Sequence, residues 1–243
     1  MRIHYYKRFL ICKLVVLLAL FVAYMTLGDA FSSLYDVAHG ELPCFVDENV
    51  RHSIKYMLFN FDQLMRQYNL TYWADYGTLL GSYRNGKMIR YDQDGDLGYL
   101  YKDRAIIDFE IAPILRRRDI IVDNPDKTVQ LEYKNVKIDL FAYDTYKNLG
   151  QKVPNSKTET TLTRAYYRNS DFFEQTYSDA EYDWIFPVRS NCPFENLALM
   201  CPRNAERVLA TRYPYTFPYG VKLPFKFWCY ANPKSFLKVL FSS

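Results

Sequence analysis

Histidine is rare in this chain of 243 residues, occurring only as His4, His39 and His52. All three precede residues 71–99, the segment in which glycine and aspartate are most concentrated. Histidine is the usual general base near neutral pH and a frequent zinc ligand. Its scarcity argues against histidine-based catalysis in that segment. The lack of any C-x-x-C pair also removes a common cysteine signature of zinc sites.

The chain beyond residue 28 has no excess of either charge. The first 28 residues hold four basic side chains and no acid, which accounts for the formal net charge of +4. The rest of the chain contains 27 Lys and Arg against 27 Asp and Glu. A protein that binds nucleic acid electrostatically needs an excess of Lys and Arg in the folded domain. We therefore predict no nucleic-acid partner, although the isoelectric point of the whole chain is near 8.6.

One apolar run is long enough to span a bilayer. Residues 9–27 are apolar almost throughout and carry a single charge, Lys13, and a spanning helix needs about 17–25 such residues. Basic residues precede the run and the first acid, Asp29, follows it. The positive-inside rule then places residues 1–8 in the cytosol as a short tail. We predict a transmembrane signal-anchor over residues 9–27.

The remainder of the chain is then luminal. We predict a stem over residues 28–47 and one domain over residues 48–243, in a single-pass type II membrane protein of the Golgi or the endoplasmic reticulum. A cleaved signal peptide is the alternative, because Gly28-Asp29-Ala30 has the small residues of a cleavage site. The length of the apolar run favours a retained anchor, since a signal core has about 7–15 apolar residues.

Cysteine usage fits an oxidising compartment. Outside the apolar run the chain has four cysteines, Cys44, Cys192, Cys201 and Cys229. A disulfide can span the short loop between Cys192 and Cys201, so we predict that these two are paired, with a zinc site as the alternative. Asn69 begins the single glycosylation sequon of the chain, and the pattern alone leaves its use open.

The most informative pattern is a set of carboxylates at alternate positions, Asp92, Asp94 and Asp96. Along an extended strand these side chains share one face. Three unpaired anions there would repel one another unless a divalent cation neutralised them. Asp139 lies in the apolar segment VKIDLFAYD, where a lone carboxylate needs a partner. Oxygen ligands of this kind favour Mg²⁺ or Mn²⁺.

Two other interpretations of these acids are weaker. Asp92, Asp94 and Asp96 also match the start of an EF-hand calcium loop, with Asp103 at its twelfth position. Leu97 stands where such a loop needs glycine, and the twelfth residue of the loop is normally Glu. The other interpretation is a solvated acidic turn that binds no ligand.

Hydrophobic periodicity predicts alternating helices and strands, and so an α/β fold. The expected elements are a helix from Val50 to Tyr68, a strand from Thr71 to Tyr76, a helix from Thr78 to Arg84 capped by Thr78, a hairpin of Val129–Tyr133 and Val136–Tyr143, and helices over Ala205–Tyr213 and Pro233–Phe241. Asp103 is expected to cap another helix, and Pro113 to end or kink it. The polar residues 146–161 are expected to form an inserted loop.

Part of the acidic segment resembles the nucleotidyltransferase fold. The run Gly81-Ser82-Tyr83-Arg84, followed by Asp92 and Asp94, is similar to the glycine-serine turn and the D-x-D motif of that fold. The fold has a third carboxylate on a later strand, a place that suits Asp139. The resemblance implies a mixed sheet flanked by helices.

A closer resemblance is to the fukutin and LicD family. The segment YGTLLGSYRNGKMIRYDQDGDLG is similar to that family's central motif, and Phe186-Pro187-Val188-Arg189 and Cys201-Pro202-Arg203-Asn204 are similar to its later elements. The resemblance covers about residues 48–213. The chain departs from the family pattern within residues 90–93, and no expected metal ligand is lost there.

This resemblance implies a metal-dependent phosphotransferase, which moves ribitol phosphate or phosphocholine from a CDP-linked donor to a glycan acceptor. The expected catalytic and metal-binding residues, which would hold Mg²⁺ or Mn²⁺, are Asp92, Asp94, Asp96 and Asp139. The expected phosphate-binding residues are Gly77, Thr78, Gly81, Ser82, Arg84, Lys87 and Arg189. The alternative is a non-catalytic anchored protein that binds a glycan or a metal. The sequence predicts no oligomeric state.

Overall fold

The computed structural model describes residues 13, 15–20, 22–23, 46–89, 92–124, 128–165, 177–214 and 217. The elements below all lie in one compact unit, Val46–Lys222. The expected tail, most of the expected stem, parts of the expected anchor and the expected helix Pro233–Phe241 lie outside the described residues. Within the described part of the chain, no helix is long and apolar enough to cross a membrane.

The described residues of this unit alternate between helices and strands. The helices are α1 (Glu48–Gln67), α2 (Tyr76–Asn85), α3 (Arg104–Ile106), α4 (Ala112–Arg116), α5 (Tyr146–Leu149), α6 (Tyr182–Ile185) and α7 (Ala205–Arg212). The strands are β1 (Tyr72–Ala74), β2 (Asp94–Leu100), β3 (Ile121–Asp123), β4 (Val129–Tyr133), β5 (Val136–Thr145), β6 (Leu162–Arg164), β7 (Arg189–Phe194) and β8 (Leu197–Cys201). A 3-10 turn, Tyr101–Asp103, precedes α3, and a π-helical turn, Ile107–Ile111, joins α3 to α4.

Six strands form one mixed sheet in the order β1-β2-β5-β4-β3, with β6 pairing along the end of β5. Strands β2 and β5 run parallel, and the other neighbours run antiparallel. Strands β7 and β8 form a separate antiparallel hairpin. The mixed α/β sheet with flanking helices confirms this part of the expected fold, and the transmembrane helix expected before it stays a prediction. The sheet also places the acidic strand β2 beside β5, which carries Asp139.

Helix α1 covers one face of this sheet. Its buried residues recur three or four positions apart between Ile54 and Met65, as the sequence periodicity predicts. The helix packs against β4 and β5, and Ile138 and Leu140 of β5 are fully buried. Alternate residues of a strand point to opposite faces, so Asp139 lies on the face of the sheet away from α1. We call that face the site face.

The turn between β4 and β5 confirms the predicted hairpin. Its two central residues, Lys134 and Asn135, have φ angles of 51° and 62°. Two consecutive left-handed residues are typical of a two-residue hairpin turn. The turn fixes the register so that Gln130 lies opposite Asp139, and this pairing matters for the site described below.

Helix α2 begins two residues earlier than the sequence predicts. Its N-cap is Asp75, not Thr78, and the Asp75 carboxylate accepts a hydrogen bond from the Tyr76 N–H at 2.9 Å. The preceding strand is correspondingly shorter and ends at Ala74. The cap forms at Asp75 because a distant arginine holds that carboxylate in place, and the local sequence does not reveal this partner.

Two further helix ends differ in detail from the expectations. Asp103 makes no capping hydrogen bond through its side chain. Pro113 does not end its helix, which continues to Arg116. The π-helical turn Ile107–Ile111 comes first, so Pro113 lies in the first turn of α4, where its missing N–H is not needed. The segment 146–161, expected to be a loop, starts with the short α5.

The β7–β8 hairpin carries the predicted cysteine pair. Cys192 and Cys201 are joined across the hairpin, with their Cα atoms 6.1 Å apart, and both residues are buried. A Cα separation of this size suits a disulfide. We expect peptide mapping under non-reducing conditions to recover both cysteines in one linked fragment. Free thiols at both positions would contradict this pairing.

Candidate active site

Three carboxylates meet where β2 begins. Oxygen atoms of Asp92, Asp94 and Asp96 all lie within 4.8 Å of one another. Asp92 and Asp96 are buried, and Asp94 is exposed. Oxygen ligands on opposite sides of one Mg²⁺ ion are about 4 Å apart, so the three groups can share an ion after small side-chain adjustments. Asp94 and Asp96 lie in β2 as expected, and Asp92 precedes the strand.

Asp139 reaches the site face from the neighbouring strand. In the parallel pairing of β2 and β5, Asp139 is the register partner of Asp96. Its Oδ1 atom accepts a hydrogen bond from Gln130 Nε2 at 2.6 Å. Burial raises the pKa of Asp139, the hydrogen bond from Gln130 opposes this rise, and the negative charge of Asp94 adds to it. The strand pairing thus places a carboxylate that is distant in sequence on the strand beside the acidic cluster, although the oxygens that lie within 4.8 Å of one another are those of Asp92, Asp94 and Asp96.

The first turn of α2 fixes the position of Asp96. The Gly77 N–H donates a hydrogen bond to Asp96 Oδ2 at 3.0 Å, and the Asp96 N–H donates to Thr78 Oγ1 at 2.9 Å. A negative charge is favourable at the N-terminus of a helix. The Gly77 amide, which we expected to bind phosphate, therefore holds one of the expected metal ligands in this structure.

In the rest of α2, the glycine and the serine of the motif are closely packed. A Cβ atom at Gly81 would clash with the carbonyl oxygen of Lys87 and would lie 3.2 Å from the Phe194 ring. Ser82 is buried in the same helix. Gly86 ends the helix with a φ of 69°, a left-handed conformation that favours glycine. The phosphate-binding roles of Gly81 and Ser82 stay predictions.

The expected cations lie apart from the carboxylates. Arg84 and Lys87 are exposed near the C-terminal end of α2, and the Nε of Arg189 donates to the Pro202 carbonyl at 3.2 Å. None of these three cations forms an ion pair with the acidic cluster within the described ranges, so their phosphate-binding roles also stay predictions. Asn69, the candidate glycosylation site, is exposed after α1 with a φ of 53°.

Arg164 is a cation at the site that the sequence analysis missed. It is the register partner of Tyr143 in the pairing of β5 with β6. Its guanidinium carbon lies 3.7 Å from the centre of the Phe141 ring and 5.0 Å from that of the Tyr76 ring. Burial raises the pKa of Asp139, and the positive charge of Arg164 counteracts that rise. No local motif marks this arginine, because only the strand pairing brings it to the site face.

A buried ion pair holds the start of α2. Asp75 accepts hydrogen bonds from Arg212 Nε at 2.9 Å and Arg212 Nη2 at 3.1 Å, and from the Tyr143 hydroxyl at 2.9 Å. Both side chains of the pair are fully buried. Burial alone would raise the pKa of Asp75, but the charge and hydrogen bonds of Arg212 hold it below its ordinary value. Asp75 thus supports the helix that positions Asp96.

A cavity of about 320 Å³ lies elsewhere, between α1 and the β7–β8 hairpin. It is lined by Phe59, Asp62, Arg66, Ser190, Asn196, Leu197, Ala198 and Leu199. The guanidinium of Arg66 is already bonded to the carboxylate of Asp62 at 2.8 Å and to the Ala198 carbonyl at 2.9 Å. The cavity contains none of the expected catalytic residues, so the chemistry suggested by the carboxylates does not belong there.

A mixed sheet with carboxylates on two adjacent strands, preceded by a glycine-containing helix, is the arrangement expected of a nucleotidyltransferase-type domain. A family model described as LicD/FKTN/FKRP, nucleotidyltransferase domain, matches residues 69–204, which is more than half of the chain. The protein therefore belongs to the LicD/FKTN/FKRP family, as the sequence motifs indicate. This assignment makes it a transferase of that family.

Among curated proteins, none matches the chain significantly. Among solved structures, the chain is similar to the lincosamide antibiotic adenylyltransferase LnuA bound to lincomycin, with 13% identity, a TM-score of 0.40, and coverage of 82% of this chain and 99% of that one. The antibiotic-resistance factor ANT(2'')-Ia gives 13% identity, a TM-score of 0.40, and coverage of 78% and 85%. Terminal uridylyl transferase 4 from Trypanosoma brucei with bound GTP gives 13% identity, a TM-score of 0.31, and coverage of 50% of this chain and 36% of that one. Scores this low add nothing to the assignment.

Proposed function

We propose that this protein is a metal-dependent phosphotransferase that moves a phosphate-linked alcohol, ribitol phosphate or phosphocholine, from a CDP-linked donor to a glycan hydroxyl. The observation that carries the proposal is the carboxylate cluster, in which oxygens of Asp92, Asp94 and Asp96 lie within 4.8 Å of one another. Asp139 is in register with Asp96 on the adjacent strand. Family membership supports a transferase, and the CDP-linked donor follows from the resemblance to fukutin and LicD proteins.

The donor set suits a hard divalent cation. All four side chains are carboxylates, which favour Mg²⁺ or Mn²⁺ over softer metals, and Asp92 and Asp96 are buried. Burial and mutual repulsion both disfavour the charged forms of such groups, so a bound cation would stabilise them. When bound, Mg²⁺ or Mn²⁺ would neutralise the charge that develops on the phosphate oxygens.

The residues of the chain would position the reacting groups. Gly77 and Thr78 hold Asp96 in a fixed orientation through two hydrogen bonds. Arg164 places a positive charge beside Asp139. In the reaction, an oxygen of the glycan hydroxyl bonds to the phosphorus that carries the alcohol, and the bond from that phosphorus to the CMP oxygen breaks. CMP leaves with the bridging oxygen and the electron pair of the broken bond, and the proton of the glycan hydroxyl passes to solvent water.

The test of the proposed reaction measures how fast the purified full-length protein releases CMP from a CDP-linked donor in the presence of Mn²⁺. CDP-ribitol, CDP-glycerol and CDP-choline are each offered with and without a glycan acceptor, and a chelator should abolish release until Mn²⁺ is restored. Transfer from UDP- or GDP-sugars instead would indicate a glycosyltransferase. Binding of Mn²⁺ without turnover of any donor would favour the alternative of a non-catalytic binding protein.

We further propose a single-pass type II orientation with the catalytic domain in the lumen of the Golgi or the endoplasmic reticulum. The basis is the apolar run over residues 9–27 with basic residues before it. In sealed vesicles, added protease should then spare everything after Ala30. A mature chain that begins at Phe31 would show instead that the apolar segment is a cleaved signal peptide.

A further inference from the structure

Tyr213 has a buried hydroxyl that makes no hydrogen bond within the described residues. The residue ends α7, and its N–H donates to the Leu209 carbonyl at 2.8 Å. Its hydroxyl oxygen is out of contact with solvent and has no hydrogen-bond partner within the described residues. Nearly all buried polar groups in native proteins have such a partner. Other buried side-chain atoms of the described residues also lack a partner, among them Trp73 Nε1 and Asp108 Oδ1, so the missing partner indicates a ligand only together with the position of the hydroxyl.

The hydroxyl lies in the electric field of the acidic cluster. Burial raises the pKa of Tyr213, and the negative charges of Asp96 and then Asp92 raise it further. Helix α7, which Tyr213 follows, packs against α2, and the first turn of α2 holds Asp96. The Tyr213 hydroxyl has a proton to donate and makes no hydrogen bond to Asp92 or Asp96. The chemistry that satisfies it is an oxygen acceptor lying between Tyr213 and the carboxylates.

The residue before Tyr213 ties the end of α7 to the rest of the domain. Arg212 Nη1 donates to the carbonyl oxygens of Tyr177 at 2.8 Å and Asp179 at 3.2 Å, in addition to the bonds between Arg212 and Asp75. The end of α7 is thus tied to the start of α2, which holds Asp96. These bonds fix the backbone from which the Tyr213 side chain extends.

We propose that the Tyr213 hydroxyl binds the nucleotide donor by donating a hydrogen bond to one of its phosphate oxygens, above Asp92 and Asp96. This inference rests on the proposed function, because the phosphate oxygens would be brought there by the metal ion that the carboxylates hold. A phosphate oxygen is a pure acceptor, and a hydrogen bond to a charged acceptor is stronger than a neutral one.

The test compares the Tyr213→Phe variant with Tyr72→Phe in the full-length protein. Both changes remove one buried hydroxyl, but that of Tyr72 donates to Asp62 at 2.6 Å and accepts from the Met200 N–H at 3.3 Å, on the α1 side of the sheet. We expect Tyr213→Phe to weaken the affinity for CDP with Mn²⁺ by about 10- to 100-fold and to lower kcat/KM for the active CDP-linked donor by a similar factor. The affinity for Mn²⁺ alone should stay within about twofold of wild type.

The two variants should also differ in melting temperature, and here Tyr72→Phe should be the destabilised one. The ligand-free Tyr213→Phe protein should melt at the wild-type temperature or higher, because it loses only an unsatisfied hydroxyl. The Tyr72→Phe protein should melt at a lower temperature and bind CDP as wild type does. Thermal melting gives the two melting temperatures, and calorimetric titration gives the two affinities for CDP.

Three other outcomes would each contradict the role proposed for Tyr213. If wild type binds CDP with Mn²⁺ and Tyr213→Phe binds it equally well, the role of Tyr213 is refuted and the proposed function stands. If Tyr213→Phe weakens the binding of Mn²⁺ alone, the hydroxyl serves the metal site and not the phosphate. If wild type binds neither Mn²⁺ nor CDP, the proposed function fails and the inference fails with it.

Discussion

Replacing Asp96 with asparagine is expected to lower the turnover rate by on the order of a thousandfold while leaving the protein folded. Asparagine keeps an oxygen that can accept the hydrogen bond from the Gly77 N–H, which is 3.0 Å long in the wild type. It lacks the negative charge that attracts a divalent ion. Three carboxylates lie within 4.8 Å of one another, so removal of one charge should leave the melting temperature of the metal-free protein unchanged or raise it. Single-turnover rates and thermal melts measure both effects.

The Asp139→Asn variant distinguishes a calcium loop from a metal site built on two strands. A calcium loop would use Asp92 through Asp103 and would be indifferent to Asp139, whereas a site built on two strands needs the carboxylate of β5. We expect Asp139→Asn to weaken Mn²⁺ binding by about tenfold or more. The variant should still fold, because its amide oxygen can accept the hydrogen bond from Gln130, which is 2.6 Å long in the wild type.

The matched control is Asp103→Asn, an isosteric change in the 3-10 turn that precedes α3. This variant should bind Mn²⁺ as wild type does and should retain its turnover rate. Calorimetric titration compares the three proteins. Unchanged affinity in Asp139→Asn together with lost affinity in Asp103→Asn would reverse our assignment and support the calcium loop.

The parts of the fold that sequence analysis predicts correctly are those specified by local patterns. The helical period between Ile54 and Met65 marks α1, and the Lys134-Asn135 turn marks the β4–β5 hairpin. The alternation of Asp94 and Asp96 marks a strand with one acidic face. Each of these signals is contained within a few residues, because side-chain direction in helices and strands follows the backbone period.

The features that sequence analysis misses depend on contacts between distant segments. Arg164 reaches the site face only through the pairing of β6 with β5, and nothing beside it in sequence marks it as a site residue. Asp75 caps α2 in place of Thr78 because Arg212, far along the chain, holds its carboxylate. Gly81 and Ser82 illustrate the converse. Their place in a family motif indicates phosphate binding, while the structure also shows that Gly81 has no room for a side chain and that Ser82 is buried.

The second large effect is expected from Arg212→Leu, which leaves the Asp75 carboxylate buried without its cation. Both side chains are fully buried in the wild type. Loss of one member of a buried ion pair typically costs about 3–5 kcal/mol of unfolding free energy, which corresponds to a fall in melting temperature of roughly 10 °C for a domain of this size. The double variant Asp75→Asn/Arg212→Leu should regain part of this loss, because it removes the uncompensated charge.

The pH dependence of this destabilisation identifies its cause. In the wild type the pKa of Asp75 is held below its ordinary value of 3.8, because Arg212 outweighs the effect of burial. The stability that Asp75 contributes is therefore present above that pH and is lost as the pH falls through the folded-state pKa. Without Arg212, burial should raise the pKa of Asp75 above its value in the unfolded chain. The pH dependence of stability then changes sign, because the folded variant takes up a proton more readily than the unfolded chain does. The free-energy gap between wild type and Arg212→Leu should then narrow as the pH falls from neutrality towards 3.8, while the gap for Asp75→Asn/Arg212→Leu stays constant over that range. Chemical denaturation at several pH values measures both gaps, and a gap for Arg212→Leu that does not change with pH would show that the buried Asp75 charge is not the cause.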